Sequence, residues 1–485
     1  MAKERNISTG RNAVLNGFRT ALNMLLPLIT IPYVTRVLQP ENLGKYNFGN
    51  SVISYFQMIA ALGITSYTVR ESAKFRDDKV RFKKFCSEVF TINMISTLVS
   101  YLLLFGCVIL HIFSGYENLL LIFSIEIVFI TIGTEWLYTI YEDFTYITVR
   151  SITFKVVSVI LIFLLVRKPE DYLVYAGITV FSIVGPNIIN IWYVQKHYCQ
   201  IRLVRKCNCR EHLKPILILF VSTIATTVYV NSDITMLGIF ESDYLVGIYS
   251  VSARIYAAVK EFLTSLMLVS VPRMSLLIGQ NKQREFTHTL TRIVNYLALL
   301  VFPAVTGLFV LSREIILLIA GEAYIEAVSS LRLLCIALMI CVFGLVYNDC
   351  VLLPAKKEKI VLAATVMTAV VNVSVNYFLI PFWHENAVAF STILAEAMLM
   401  VIRVYFGRKI AKLEKGVLQN LLSAVSGCVV IVFVCLLIQS LHVSTLVTVL
   451  LSVLFSVIFY GLTLLLFRNR ILWDALHKVR DRWLT

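Results

Sequence analysis

Residues 421–466 read LLSAVSGCVVIVFVCLLIQSLHVSTLVTVLLSVLFSVIFYGLTLLL, without one Asp, Glu, Lys or Arg. Two apolar runs, assigned to spans 418–439 and 444–466, flank a short polar turn. Each run matches the ~20 residues a helix needs to cross ~30 Å of hydrocarbon. In hydrocarbon every backbone N–H and C=O must be bonded internally, which a helix does within its own segment. The short alternating segments of a membrane barrel are not seen. The stretch therefore predicts a pair of transmembrane helices.

The same pattern continues towards the N-terminus. Further spans are expected near 13–34, 46–67, 87–110, 118–139, 146–166, 172–194, 215–237, 245–271, 290–311, 330–352, 359–380 and 385–407, fourteen in all. Hydrophobic residues make up 58% of the 485 and charged ones 15%, and the mean hydropathy is +0.80. Soluble domains are about 45–50% apolar and ~25% charged, so this excess has no water-facing solution. No hydrophilic block is large enough for a separate soluble domain. Residues 1–12 are polar, and the run after them lacks a small-residue cleavage site, so it reads as a retained span. The fold class is an all-α membrane protein with fourteen transmembrane helices.

A net charge of +15 suggests phosphate binding, but these cations sit in short loops between spans. Topology and anionic headgroups explain them better than nucleic acid does. With the N-terminus inside, 34 of the 44 Lys and Arg fall in or beside cytoplasmic segments, Arg150 among them at the inner flank of span 5. The outer loops hold Arg36, Lys45, Arg167, Lys168 and Arg313, and the spans hold Arg19, Lys155, Arg254, Lys260 and Arg332. Both termini are expected in the cytoplasm. Most of the ten cysteines lie in spans, where Cys acts as a small hydrophobe. Cys199, Cys207, Cys209 and His212 lack the spacing of a zinc site and are expected in a reduced cytosolic loop; no metal or other cofactor is expected.

Gly44-Lys45-Tyr46 opens span 2 and Gly247-Ile248-Tyr249 opens span 8, an offset of 203 that also carries 13–34 onto 216–237. Six spans per half would make the halves parallel, a plan in which two bundles rock about a central site. The expected division is 1–200 for an N-terminal six-helix lobe and 201–415 for a second one. Residues 416–485 add two C-terminal helices and a tail.

Residues Thr30–Glu71, TIPYVTRVLQPENLGKYNFGNSVISYFQMIAALGITSYTVRE, carry Pro32, Arg36, Pro40-Glu41, Leu43-Gly44-x-Tyr46 and Ala61-Leu62-Gly63-Ile64. With Pro272-Arg273 and Gly321-Glu322-Ala323-Tyr324, this resembles the polysaccharide (O-antigen) flippase family of the multidrug/oligosaccharidyl-lipid/polysaccharide exporter superfamily. The resemblance implies a polyprenyl-pyrophosphate-linked oligosaccharide as substrate, moved from the cytoplasmic to the periplasmic leaflet of a bacterial inner membrane. It also implies two six-span lobes around a central cavity, with membrane lipids and other glycan-assembly proteins as partners.

A charge within a span costs roughly 2.5–3.5 kcal/mol on insertion scales and usually faces a cavity or a partner. Arg19, Arg254 and Lys260, together with Arg36 at the end of span 1, are candidate cations for the pyrophosphate, whose oxygens suit a guanidinium fork. Internal pairing or snorkelling is the other reading. Carboxylates shielded from water can exchange H⁺ or hold Na⁺ as access alternates. Asp233, Glu396, Asp349 and Glu126 are candidates for coupling, or else counter-ions of arginines on other spans. Pro27 and Pro32 in span 1 favour a bend that would suit a gate.

A glycan polymerase or ligase would need a large periplasmic loop with an acid–base or nucleophile constellation, and none is present. An enzyme is therefore not expected. A multidrug exporter predicts an acidic cavity, contrary to the cations here, whereas a lipid II exporter shares the anionic headgroup.

Overall fold

The structure, a computed structural model, describes residues 9–72, 78–141, 143–198, 200–205, 209–414, 416–467, 469 and 473. Side chains are described for these except at 9–25, 27, 28, 144, 145, 209 and 418. The chain forms two compact units, residues 1–247 and 248–485. The first holds α1 (Thr9–Ala61), α2 (Ile64–Ser72), α3 (Lys79–Ile109), α4 (Glu117–Gly133), α5 (Trp136–Ile140), α6 (Phe144–Leu165), α7 (Tyr172–His197), α8 (Cys209–Phe240) and the opening turn of α9 (Asp243–Leu268). The second holds the rest of α9, α10 (Val271–Gly279), α11 (Gln283–Val310), α12 (Ser312–Ile319), α13 (Ala327–Tyr347), α14 (Glu358–Gly407), α15 (Val417–Gln439) and α16 (Thr445–Leu466). No strand occurs among the described residues.

Twelve helical segments among the described residues are long and apolar enough to cross a membrane. Two contain a pair of expected spans each. Within the 53 residues of α1, Gln39 leaves helical geometry (φ 61, ψ 167). The following Pro40 disfavours the α conformation at the preceding residue. Helix α14 has 50 residues and one such break, at His384 (φ 50, ψ −130), shortly after Pro381. At 1.5 Å per residue, 50 residues would reach about 75 Å, more than twice the hydrocarbon thickness. Elsewhere the helices outrun the apolar runs. α3 begins at Lys79, where the expected span begins at 87; α8 begins at Cys209 instead of 215; α11 begins at Gln283 instead of 290. Helical hydrogen bonding continues into the basic flanks, where hydropathy has already fallen.

Local caps fix these ends. Asp78 accepts from the amides of Val80 and Arg81 at 3.1 and 3.0 Å, starting α3. This cap satisfies amides that have no partner within the helix. Asp171 accepts from the amides of Arg167 and Lys168, both at 2.8 Å, and so closes the turn ahead of α7.

In the first unit α1 packs against α3, α4, α6, α7 and α8, and α7 packs against α4 and α6. Helix α8, expected to begin the second lobe, lies against α1, α2 and α3, and the boundary between the units falls inside α9. Gly44 and Gly247 allow a close backbone approach. A Cβ at Gly44 would lie 1.7 Å from the Asp243 carbonyl oxygen, and one at Gly247 would lie 1.9 Å from that of Pro40. Pro40 and Asp243 are separated by the same 203 residues as the two glycines. The contact is thus reciprocal, residue for residue.

In the second unit α13 packs against α14 and α11, while α15 and α16 pack on each other and against α11 and α12. The Tyr460 hydroxyl donates to the Leu299 carbonyl at 3.1 Å, which ties the C-terminal helix pair to the bundle. Other apolar side chains point outward, as Leu102, Val429, Phe433 and Val457 do at 65–67% exposure. A helix facing hydrocarbon has no reason to bury that face.

Candidate functional site

In the first unit, polar side chains converge beside the C-terminal end of α1. Asn93 and Ser96 of α3 donate to the Ala60 carbonyl at 2.7 and 2.6 Å, and Ser100 donates to that of Phe56 at 2.6 Å. Glu126 of α4 is buried and accepts from Gln57 Nε2 at 2.7 Å. A cavity of about 370 Å³ opens here, with Gln57, Asn93, Thr131 and Glu135 on its wall. Glu135 follows the break between α4 and α5, where Thr134 takes φ 42. A buried carboxylate beside an amide donor and a polar void can accept a cation or a proton. Asp233 of α8 is half-buried and acts electrostatically on Tyr55. The Tyr55 hydroxyl accepts from Thr235 at 3.2 Å.

In the second unit the structure brings together two residues that the sequence assigned to separate roles. Lys260 of α9 places Nζ 5.2 Å from the centre of the Tyr256 ring. The Tyr256 hydroxyl donates to Glu396 Oε1 of α14 at 3.4 Å. Glu396 is buried, and the Cys341 thiol of α13 hydrogen-bonds within the same group. A cation over an aromatic face gains about 0.5–2 kcal/mol. The carboxylate on the hydroxyl keeps that face electron-rich. Arg254, one helical stretch earlier on α9, is half-buried.

Asp349 is held differently. The π-helical turn Asn348–Leu352 ends the α13 span, and Asn348 Nδ2 donates to Asp349 Oδ1 at 2.8 Å. Arg403 of α14 is 7% exposed and acts electrostatically on Asp349. Arg36 is exposed near the break at Gln39, whose side chain donates to the Arg36 carbonyl at 2.7 Å. Helix α1 passes through Pro27 and Pro32, and its non-helical residue is Gln39, seven past Pro32. The side chains of Arg19, Pro27 and Cys209, and residues Cys199 and Cys207 altogether, lie outside the described residues.

One expectation is corrected. His212, assigned to a cytosolic loop, is buried in α8, with Nδ1 2.7 Å from the Tyr67 hydroxyl and Nε2 3.2 Å from Glu88. This chain links α2, α3 and α8, because the helix starts six residues before the apolar run does. Arg150, counted at the inner flank of span 5, is 7% exposed and lies 5.6 and 5.4 Å from the ring centres of Tyr138 and Tyr146. Sequence reasoning missed Gln57, Tyr256, Cys341 and Arg403. Arg403 was counted with the inner flank, yet it falls four residues inside the expected span 385–407, a depth that signals a partnered charge.

The chain is 23% identical over 385 residues to a curated Shigella dysenteriae protein named "Putative O-antigen transporter", a match covering 78% of this chain and 95% of that protein. Among solved structures, a lipid II flippase MurJ in an inward closed conformation superposes with a TM-score of 0.73 at 15% identity, covering 94% of this chain and 100% of that one. An inward-facing multidrug resistance MATE family transporter of the MOP superfamily gives 0.66 at 15% identity, covering 82% and 98%. The fold is that of these transporters. The sequence profile described as "Polysaccharide biosynthesis protein" matches residues 9–278, more than half the chain, and with the spans and reciprocal glycine contact found here, the chain belongs to the polysaccharide biosynthesis protein family.

Proposed function

We propose that this chain is a multi-pass flippase of a bacterial inner membrane, not an enzyme. Its cargo is a polyprenyl-pyrophosphate-linked oligosaccharide, moved from the cytoplasmic to the periplasmic leaflet by alternating access. Likeness along 95% of the curated protein named "Putative O-antigen transporter" carries this reading. It is supported by the charges that the spans hold against a cost of several kcal/mol. On this reading the breaks at Gln39 and His384 each separate two crossings, which makes fourteen in all with both termini cytoplasmic.

Arg19, Arg36, Arg254 and Lys260 then hold the pyrophosphate or acidic sugars. Asp233, Glu396, Asp349 and Glu126 couple the movement to H⁺ or Na⁺, and Pro27 and Pro32 serve a gate in the first span. The Lys260–Tyr256–Glu396 cluster supports linkage between the two roles, since a pyrophosphate drawn to Lys260 would change the charge balance at Glu396.

The test is transbilayer movement of a fluorescent lipid-linked oligosaccharide in proteoliposomes, with imposed H⁺ or Na⁺ gradients. Movement that needs the protein and responds to one gradient supports the reading. No movement with any lipid-linked glycan refutes the cargo, and insensitivity to both gradients refutes the coupling. Lipid II and an organic cation in the same assay separate the two related cargos.

A further inference from the structure

At the ends of α6 and α7 that the charge asymmetry assigns to the cytoplasm, the first unit has a pocket of about 760 Å³. Lys196, His197 and Arg202 line it together with Gln195 and Gln200, and no carboxylate is among its described lining residues. Basic residues near a membrane surface are commonly dispersed, solvated topology signals. Here three of them and two amides instead surround one concavity, with one wall held rigid.

That wall is an aromatic column. Tyr146 and Tyr193 stack at 3.8 Å with 17° between planes, and Tyr193 stacks on His197 at 4.1 Å with 21°. Tyr138 extends the column from Tyr146 at 5.3 Å, where buried Arg150 covers both rings. The Tyr198 and Tyr193 hydroxyls donate to Asp143 at 2.7 and 3.4 Å, which fixes the ring positions. Asp143 also caps α6 through the Tyr146 amide at 3.3 Å. The column therefore costs little further entropy when a ligand rests against it.

The pocket opens beside an apolar surface. Trp192 is 78% exposed, and Ile188 and Ile189, a turn earlier on α7, are 43% and 44% exposed. Phe181, three turns before Trp192 on the same face of α7, is 39% exposed, and α6 carries exposed Ile160. Exposed Trp at a span end suits the headgroup layer, where its ring is partly wet and partly apolar. Cations with amide donors suit phosphate oxygens.

We propose that this pocket holds the phosphate headgroup of a lipid of the cytoplasmic leaflet, with its hydrocarbon chain lying over the outer faces of α6 and α7. The leaflet assignment rests on the orientation proposed above; the phosphate site does not. Two sources carry this chemistry, a bulk anionic phospholipid and the pyrophosphate of a polyprenyl carrier.

The test is native mass spectrometry of the full chain in detergent, titrated separately with phosphatidylglycerol, phosphatidylcholine and polyprenyl pyrophosphate. Flipping plays no part in this readout, so its failure is distinct from failure of the transport reading. At about 1 kcal/mol for each basic residue near an anionic headgroup, the double variant Lys196→Gln/Arg202→Gln should weaken anionic binding roughly 30-fold. Binding of phosphatidylcholine should not change. Lys196→Arg/Arg202→Lys should retain anionic binding, and so should Lys409→Gln/Lys412→Gln, which removes two cations elsewhere. Tighter binding of phosphatidylglycerol would identify a resident membrane lipid, and tighter binding of polyprenyl pyrophosphate a loading site for the cargo's anchor; either supports the proposal. Wild-type protein that does not favour either anionic lipid over phosphatidylcholine would overturn it. So would an equal loss in the two Gln double variants.

Discussion

Replacing Gly44 with Ala sets a methyl group against the backbone of another helix. The added Cβ would lie 1.7 Å from the Asp243 carbonyl oxygen, 2.7 Å from its carbon and 3.0 Å from the Gly247 amide nitrogen. Ordinary carbon–oxygen contact needs well over 3 Å, and the obstacle is backbone, so no side-chain rotation relieves it. The two helix openings must separate by more than an ångström or bend. Overpacking of this kind costs about 1–3 kcal/mol. For a unit of about this size, 1 kcal/mol lowers Tm by roughly 2–4 °C, so Gly44→Ala should lower it by about 2–12 °C. Gly247→Ala should act alike, since its Cβ would meet the Pro40 carbonyl at 1.9 Å. Once one methyl has parted the openings, the second meets less resistance, so the double variant should lose clearly less than the sum, by ~1 kcal/mol. Thermal unfolding of the purified proteins followed by tryptophan fluorescence measures all three. Single variants within 0.5 °C of wild type, or strict additivity of two large losses, would refute the reciprocal contact.

Three further outcomes follow from the buried polar groups. Gln57→Leu leaves the Glu126 carboxylate without its 2.7 Å donor and should cost about 1–3 kcal/mol, read as a lower Tm; adding Glu126→Leu should recover most of it. Tyr256→Phe removes the link between Lys260 and Glu396 and should slow oligosaccharide movement in proteoliposomes by about tenfold, near 1.4 kcal/mol of barrier. Normal rates at normal protein levels would remove that cluster from the mechanism. Arg403→Leu removes the buried charge that acts electrostatically on Asp349 and should cost about 1–3 kcal/mol, read as a lower Tm; Arg403→Leu with Asp349→Asn should fold better than Arg403→Leu alone.

Several charges that the sequence distributed between substrate, coupling and topology turn out to be bound into side-chain clusters. Lys260 and Glu396 meet through Tyr256, and Asp349 accepts from Asn348. His212 joins Tyr67 to Glu88. Burying such groups with partners limits the cost of holding them in a low-dielectric interior. The same pairing leaves each cluster able to respond when a charge enters or leaves beside it.

The membrane location, the helical class and twelve apolar segments long enough to cross, among the described residues, were legible in residue order alone. Crossing hydrocarbon imposes a length and an apolarity that ~20 consecutive residues either meet or do not. The 203-residue offset was legible too, and it recurs in the reciprocal approach of Gly44 and Gly247. What each in-span charge faces was not. Lipid-exposed and packed faces of such a helix are both apolar, so periodicity loses the power to orient it that it has in water. Gln57 and Glu126 are 69 residues apart, and Tyr256 and Glu396 are 140 apart. Only tertiary packing selects such pairs, because the rotation of each helix about its own axis is set by its neighbours and not by its own sequence.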